Sequence, residues 1–92
     1  MRDLRTNNKT KLYIIIVDAC EDGINNIETF IFDTEETAKE HFKSLVKQDK
    51  KFLAEEDRND TIEESEVSYC SFPDGEHSTT HYYVSLLATK NA

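Results

Sequence analysis

Three side chains able to ligate a metal or carry nucleophilic chemistry, Cys70, His77 and His81, crowd around Pro73-Asp74-Gly75 in the stretch SYCSFPDGEHSTTHYY. The spacing argues against a metal. In a strand, residues four apart such as His77 and His81 lie roughly 13 Å apart at the Cα. Zinc holds imidazole nitrogens at about 2.0–2.1 Å, a geometry that two side chains so separated do not reach. No Cys-x-x-Cys or helical His-x-x-x-His supplies further ligands, so neither metal nor cofactor is expected.

Nucleophilic catalysis would need Cys20 or Cys70 to meet a histidine through tertiary contact, and a strand cysteine is more simply a small buried apolar group. Asp18 ends the most apolar segment and is the carboxylate to examine first; its plain role is to close a turn. Two glycines cannot build a phosphate loop, and the acidic stretch lacks EF-hand spacing. With no constellation of acid, base and nucleophile, the reading is a non-enzymatic protein.

Charge points elsewhere. Nineteen acidic residues against eleven basic ones give a net charge of -8. That field disfavours direct binding to nucleic acid or an anionic membrane and suits a protein partner with a basic surface. The acidity is concentrated in Glu55, Glu56, Asp57, Asp60, Glu63, Glu64 and Glu66. Such a run is either a solvated loop or a docking strip whose carboxylates replace phosphates in a basic groove.

Ninety-two residues make one domain, expected over 11–90, with residues 1–10 as a flexible N-terminal tail. Two cysteines are too few for a disulfide scaffold of this size. The run LYIIIV is too short for a signal-peptide core or a membrane span, so the expected compartment is the cytoplasm. The sequons at Asn8 and Asn59 then carry no meaning.

The elements that must position these groups are legible. KLYIIIVDAC is apolar on both faces, which predicts a strand in the interior of a sheet. Asp22-Gly23 and Asn25-Asn26 are turn formers, and Ile27 to Phe32 forms the second strand of a hairpin. From Asp33 the chain reads as a long helix: Asp33 caps it, Glu36 completes a capping box, and Ala38, Phe42, Leu45, Val46, Phe52 and Leu53 form its apolar stripe. The stripe breaks at KQDKK, where the helix is expected to bend or overrun the sheet. A polar connection over EEDRNDTIEESE precedes two more strands, EVSYCSF and HYYVSLLA.

The fold class is therefore α+β: a two-layer sandwich in ββαββ order, with one long helix on one face of a four-stranded sheet. Strand orders 2-1-4-3 and 2-1-3-4 both fit. A Pro-Asp-Gly turn with a bulge would group Cys70 and Phe72 with Tyr82, Val84 and Leu86. A two-residue Asp74-Gly75 turn would group Val67 and Tyr69 with those three. One helix leaves the other sheet face uncovered, so an apolar interface is expected there, with Tyr82 and Tyr83 as aromatic contacts.

In its overall plan, short, acidic and ββαββ, the chain resembles the small accessory proteins of phages and mobile elements, including anti-CRISPR inhibitors of host defence nucleases. The resemblance implies a phage-encoded inhibitor in the host cytoplasm that occludes a basic, nucleic-acid-binding surface. The expected contacts are the acidic segment from Glu55 to Glu66 together with Tyr82 and Tyr83. The alternative is a homodimeric structural or regulatory domain.

Overall fold

The β-branched run does form an interior strand. In the computed structural model, which describes residues 11–21, 23–73 and 80–89, β1 (Tyr13–Glu21) pairs antiparallel with β2 (Ile24–Phe32) on one side and β5 (His81–Ala88) on the other. The expected tail 1–10, Asp74, Gly75 and His77 lie outside the described residues. Glu21 opposes Ile24 across a two-residue connection, and Gly23 sits at φ 84, a conformation open to glycine at little cost. Nothing lies within 4 Å of where its Cβ would be, so the backbone angle alone selects glycine. Asn25 and Asn26 are strand residues, not turn residues as expected, because they pair with Cys20 and Ala19 of β1.

The sheet has five strands, not four, in the order β2-β1-β5-β4-β3. The added strand, β3 (Thr61–Glu64), lies in what the composition suggested was a polar connection. As an edge strand it needs one neighbour, β4 (Ser68–Phe72), and buries little, so Thr-Ile-Glu-Glu suffices without an apolar run. Its turn closes through Ser65 N–H donating to the Ser68 carbonyl at 2.8 Å. The four expected strands take the order 2-1-4-3. All pairings are antiparallel.

Neither expected register joins β4 to β5. Tyr69 opposes Val84 and Ser71 opposes Tyr82, which moves the connection well beyond a tight Pro-Asp-Gly turn. The core grouping is that of Tyr69 with Tyr82, Val84 and Leu86, and Cys70 points to the opposite face. Side-chain burial decides this: Tyr69 is 1% exposed, and its ring meets Tyr82 edge-on at 6.4 Å.

One helix, α1 (Glu35–Glu55), lies over β1, β2 and β5. Its cap is Thr34, not Asp33: the extended Thr34 accepts from Thr37 N–H at 3.3 Å, the geometry of an N-cap bonding its third helical residue. Ala38 and Phe42 are buried against Ile15, Val17, Val84 and Leu86, with Leu45 and Val46 partly buried beside them; Leu53 is buried as well. A fully buried side chain such as Ile15 contributes about 1.5–3 kcal/mol. The helix runs unbroken through KQDKK. At its end Asp57 takes φ 55, while Arg58 N–H bonds the Leu53 carbonyl and Asp57 N–H that of Ala54, a Schellman termination without glycine.

Candidate functional site

Alternation along the strands divides the side chains between two sheet faces. The odd residues of β1 and even residues of β5 meet the helix. The others form an open face whose rows follow the register. One row runs Ile31, Ile14, Leu87; the next Thr29, Ile16, Ser85, Ser68; the third Ile27, Asp18, Tyr83, Cys70, Glu63. On this face Ile27 and Ile31 are 63% and 64% exposed, Leu87 50% and Tyr83 42%. These exposed apolar side chains stand on β2 and β5, with half-buried Ile14 and Ile16 of β1 among them and Thr29, Asp18 and Ser85 interspersed. Apolar surface of that kind marks an interaction site more often than it decorates a monomer.

Polar groups sit within the same face. His81 Nε2 lies 3.3 Å from Asp18 Oδ1, its ring stacks on Tyr83 at 4.4 Å, and Asn25 Nδ2 donates to Asp18 Oδ1 at 3.5 Å. Cys20 opposes His81 directly in the ladder. A thiol, an imidazole and a carboxylate are thereby gathered at one end of the sheet, a contact that sequence spacing could not reveal. Cys20 is 5% exposed, so the thiol has little access to a substrate. At Cys70 burial pushes the thiol pKa up, and the Glu63 carboxylate, its partner at 3.9 Å, pushes it further. Both effects oppose thiolate formation, the reverse of nucleophile activation. No group of three or more His, Cys, Asp or Glu among the described residues could hold a metal ion. Cys70 and His81 lie on neighbouring strands; His77 is outside the described residues.

Between the end of α1 and the sheet lies a cleft of about 650 Å³, lined in part by Cys20, Asp49, Phe52, Arg58, Ser71 and His81. Two of its polar groups, Asp49 and Ser71, are bonded to each other. Asp49 Oδ2 accepts 2.7 Å bonds from both Tyr69 Oη and Ser71 Oγ. Burial, then the Asp49 contact, pushes the Tyr69 phenol well above its ordinary value; burial also raises Tyr82, with Asp49 and Glu28 adding to it. Asp49 was missed from sequence because KQDKK looks like a gap in the stripe. The signal was its phase: Ala38, Phe42, Leu45, Asp49 and Leu53 follow a helical repeat, so Asp49 faces the sheet. A second groove runs beside Lys39, Lys43, Lys47 and Lys50.

The expected contact residues do not share one surface. Glu55 ends α1, Glu56 caps it, and Asp57 follows in the left-handed turn. Asp60 is held by Arg58 in a two-point pair at 3.1 and 2.7 Å, with 2% of its side chain exposed. Glu64 turns to the helix side and pairs with Lys50 at 2.8 Å, while Glu63 faces the open side beside Cys70. Glu66 borders the lysine groove. Tyr82 belongs to the core against the helix, and Tyr83 to the open face. Of the expected residues, Glu63 and Tyr83 share a row, two strands apart.

Comparison with protein-family models, curated proteins and solved structures finds no match to this chain. No helix among the described residues is long and apolar enough to cross a membrane.

Proposed function

We propose that the protein is a non-enzymatic binding module that docks its open sheet face on a protein partner with a basic surface. The observation that carries this reading is the exposure of Ile27, Ile31, Leu87 and Tyr83 together on one sheet face that the helix leaves uncovered. Burying those side chains supplies affinity, and the surrounding charge selects the partner. Glu63 lies in the same row as Tyr83 and gives the apolar surface an acidic margin. The net charge of -8 steers a basic protein toward it.

The helix terminus supports the same chemistry. Glu55, Glu56 and Asp57 crowd the negative end of the α1 dipole, and the last turn holds no basic residue. Each such charge costs about 0.3–1 kcal/mol at an exposed helix end. These charges lie on the helix side, away from the open face, and act on a basic partner only through the long-range field that steers association. In this reading the protein acts by occlusion, and a nucleic-acid-binding groove on a cytoplasmic host protein is the target class that the phage resemblance suggests.

Capture from bacterial lysate with three baits tests it: wild type, Leu87→Lys and Glu63→Lys. A single basic protein held by wild type, released by salt and lost with both variants is the expected result. A partner retained equally by all three baits, or no partner specific to wild type, would overturn the reading.

A further inference from the structure

The two edges of the sheet differ. β3 is four residues long and ends in two glutamates, features that discourage pairing with another chain. β2 has nine residues in unbroken register with β1, no proline, lysine or bulge, and a single charge, Glu28, in a chain of net charge -8. It is a long, nearly neutral edge with three exposed isoleucines, Ile24, Ile27 and Ile31.

The ladder determines which groups that edge offers. Glu21 and Ile24 close the two-residue hairpin and form a hydrogen-bonded pair, and antiparallel pairs alternate from there. Asn26, Glu28, Phe30 and Phe32 therefore direct their backbone groups to β1. Asn25, Ile27, Thr29 and Ile31 direct theirs outward, and their side chains stand on the open face.

We propose that β2 pairs antiparallel with β2 of a second copy about a two-fold axis at Thr29. This register places Thr29 opposite its own copy and Ile27 opposite Ile31 of the second copy, twice over. It gives each of these isoleucines an isoleucine of the other copy, in two pairs flanking the threonines, and sets Glu28 against Phe30. Centring on Glu28 would oppose two like charges, and centring on Phe30 would leave Ile27 against Asp33; both are poorer cross-strand pairs. Threonine and β-branched pairs favour the chosen register. A two-fold axis normal to the sheet keeps both helices on one side and makes one ten-stranded sheet. Both β2 edges are consumed, the acidic β3 edges remain at the ends, and the assembly closes at two copies. The open face becomes continuous across the dimer. This pairing does not depend on the identity of any other partner.

Light scattering of the full chain at 10–200 μM should give twice the 10.7 kDa chain mass. Ile31→Lys should weaken the dimer at least tenfold while leaving the circular dichroism unchanged, since Ile31 is 64% exposed. Register is read with single cysteines in a chain whose Cys20 and Cys70 are replaced by alanine and serine. With oxidised glutathione, Thr29→Cys should form a covalent dimer. Ile27→Cys should not, because its two copies lie four residues apart, about 13 Å along the strand. A monomer throughout the concentration range, a dimer indifferent to Ile31→Lys, or equal cross-linking at both positions overturns the proposal.

Discussion

Replacing Asp49 with alanine removes the one acceptor that holds Tyr69 and Ser71, which are 1% and 2% exposed. A hydrogen bond to a charged group contributes about 1.5–3 kcal/mol. The two donors share a single oxygen, Oδ2, so their losses do not simply add. Relief of a partly buried carboxylate and the better helix propensity of alanine, about 0.5 kcal/mol, act in the opposite direction. The expected net loss is about 2–4 kcal/mol, or a fall in Tm of roughly 10–25 °C for a domain of this size. Urea unfolding followed by circular dichroism measures it. Combining Asp49→Leu with Tyr69→Phe and Ser71→Ala removes donors and acceptor together and should return stability to within about 1 kcal/mol of wild type. A loss below about 1 kcal/mol for Asp49→Ala, or a triple variant no more stable than the single one, would refute the idea that this trio fastens α1 to β4.

The other predictions are briefer. Tyr69 and Tyr82 hold their protons more tightly folded than unfolded, so stability should be level below pH about 10 and fall above it, by at most about 1.4 kcal/mol per pH unit for each group. Tyr82→Phe should reduce that alkaline decline in denaturation midpoints, and a flat profile to pH 11 would contradict the burial argument. Thr34→Ala should cost about 1 kcal/mol of thermal stability while Asp33→Ala costs little, since Thr34 is the cap. Both thiols should react with iodoacetamide at least tenfold more slowly in the folded protein than in urea, Cys20 through burial and Cys70 through its raised pKa. A cysteine that reacts faster when folded would revive the nucleophile reading.

What sequence could show followed from one-dimensional periodicity. The interior strand was legible because Tyr13 to Val17 is apolar on both faces, and the helix because its stripe keeps a helical repeat. β3 was hidden because an edge strand needs no apolar pattern; its position comes from β4, a tertiary partner. The β4–β5 register failed for a related reason. Turn chemistry at Pro73-Asp74-Gly75 is a local preference, whereas the register is a property of the two paired strands, Tyr69 opposite Val84 and Ser71 opposite Tyr82. That one sheet face stays uncovered follows from having one helix, but which apolar side chains stand on it was only partly legible. Tyr83 was named, whereas Ile27, Ile31 and Leu87 emerge once the strands are in register. The acidic run was visible as composition, yet Asp60 and Glu64 are taken up by Arg58 and Lys50, pairings that composition does not encode.

Hydroxyl-radical footprinting of the protein, alone and bound to its captured basic partner, tests the central claim most directly. Ile14, Tyr83 and Leu87 on the open face should lose reactivity on binding, while Phe52, 45% exposed on the helix, should keep its own. Protection of Phe52 with Tyr83 and Leu87 unchanged would place the partner on the helix side and contradict the account.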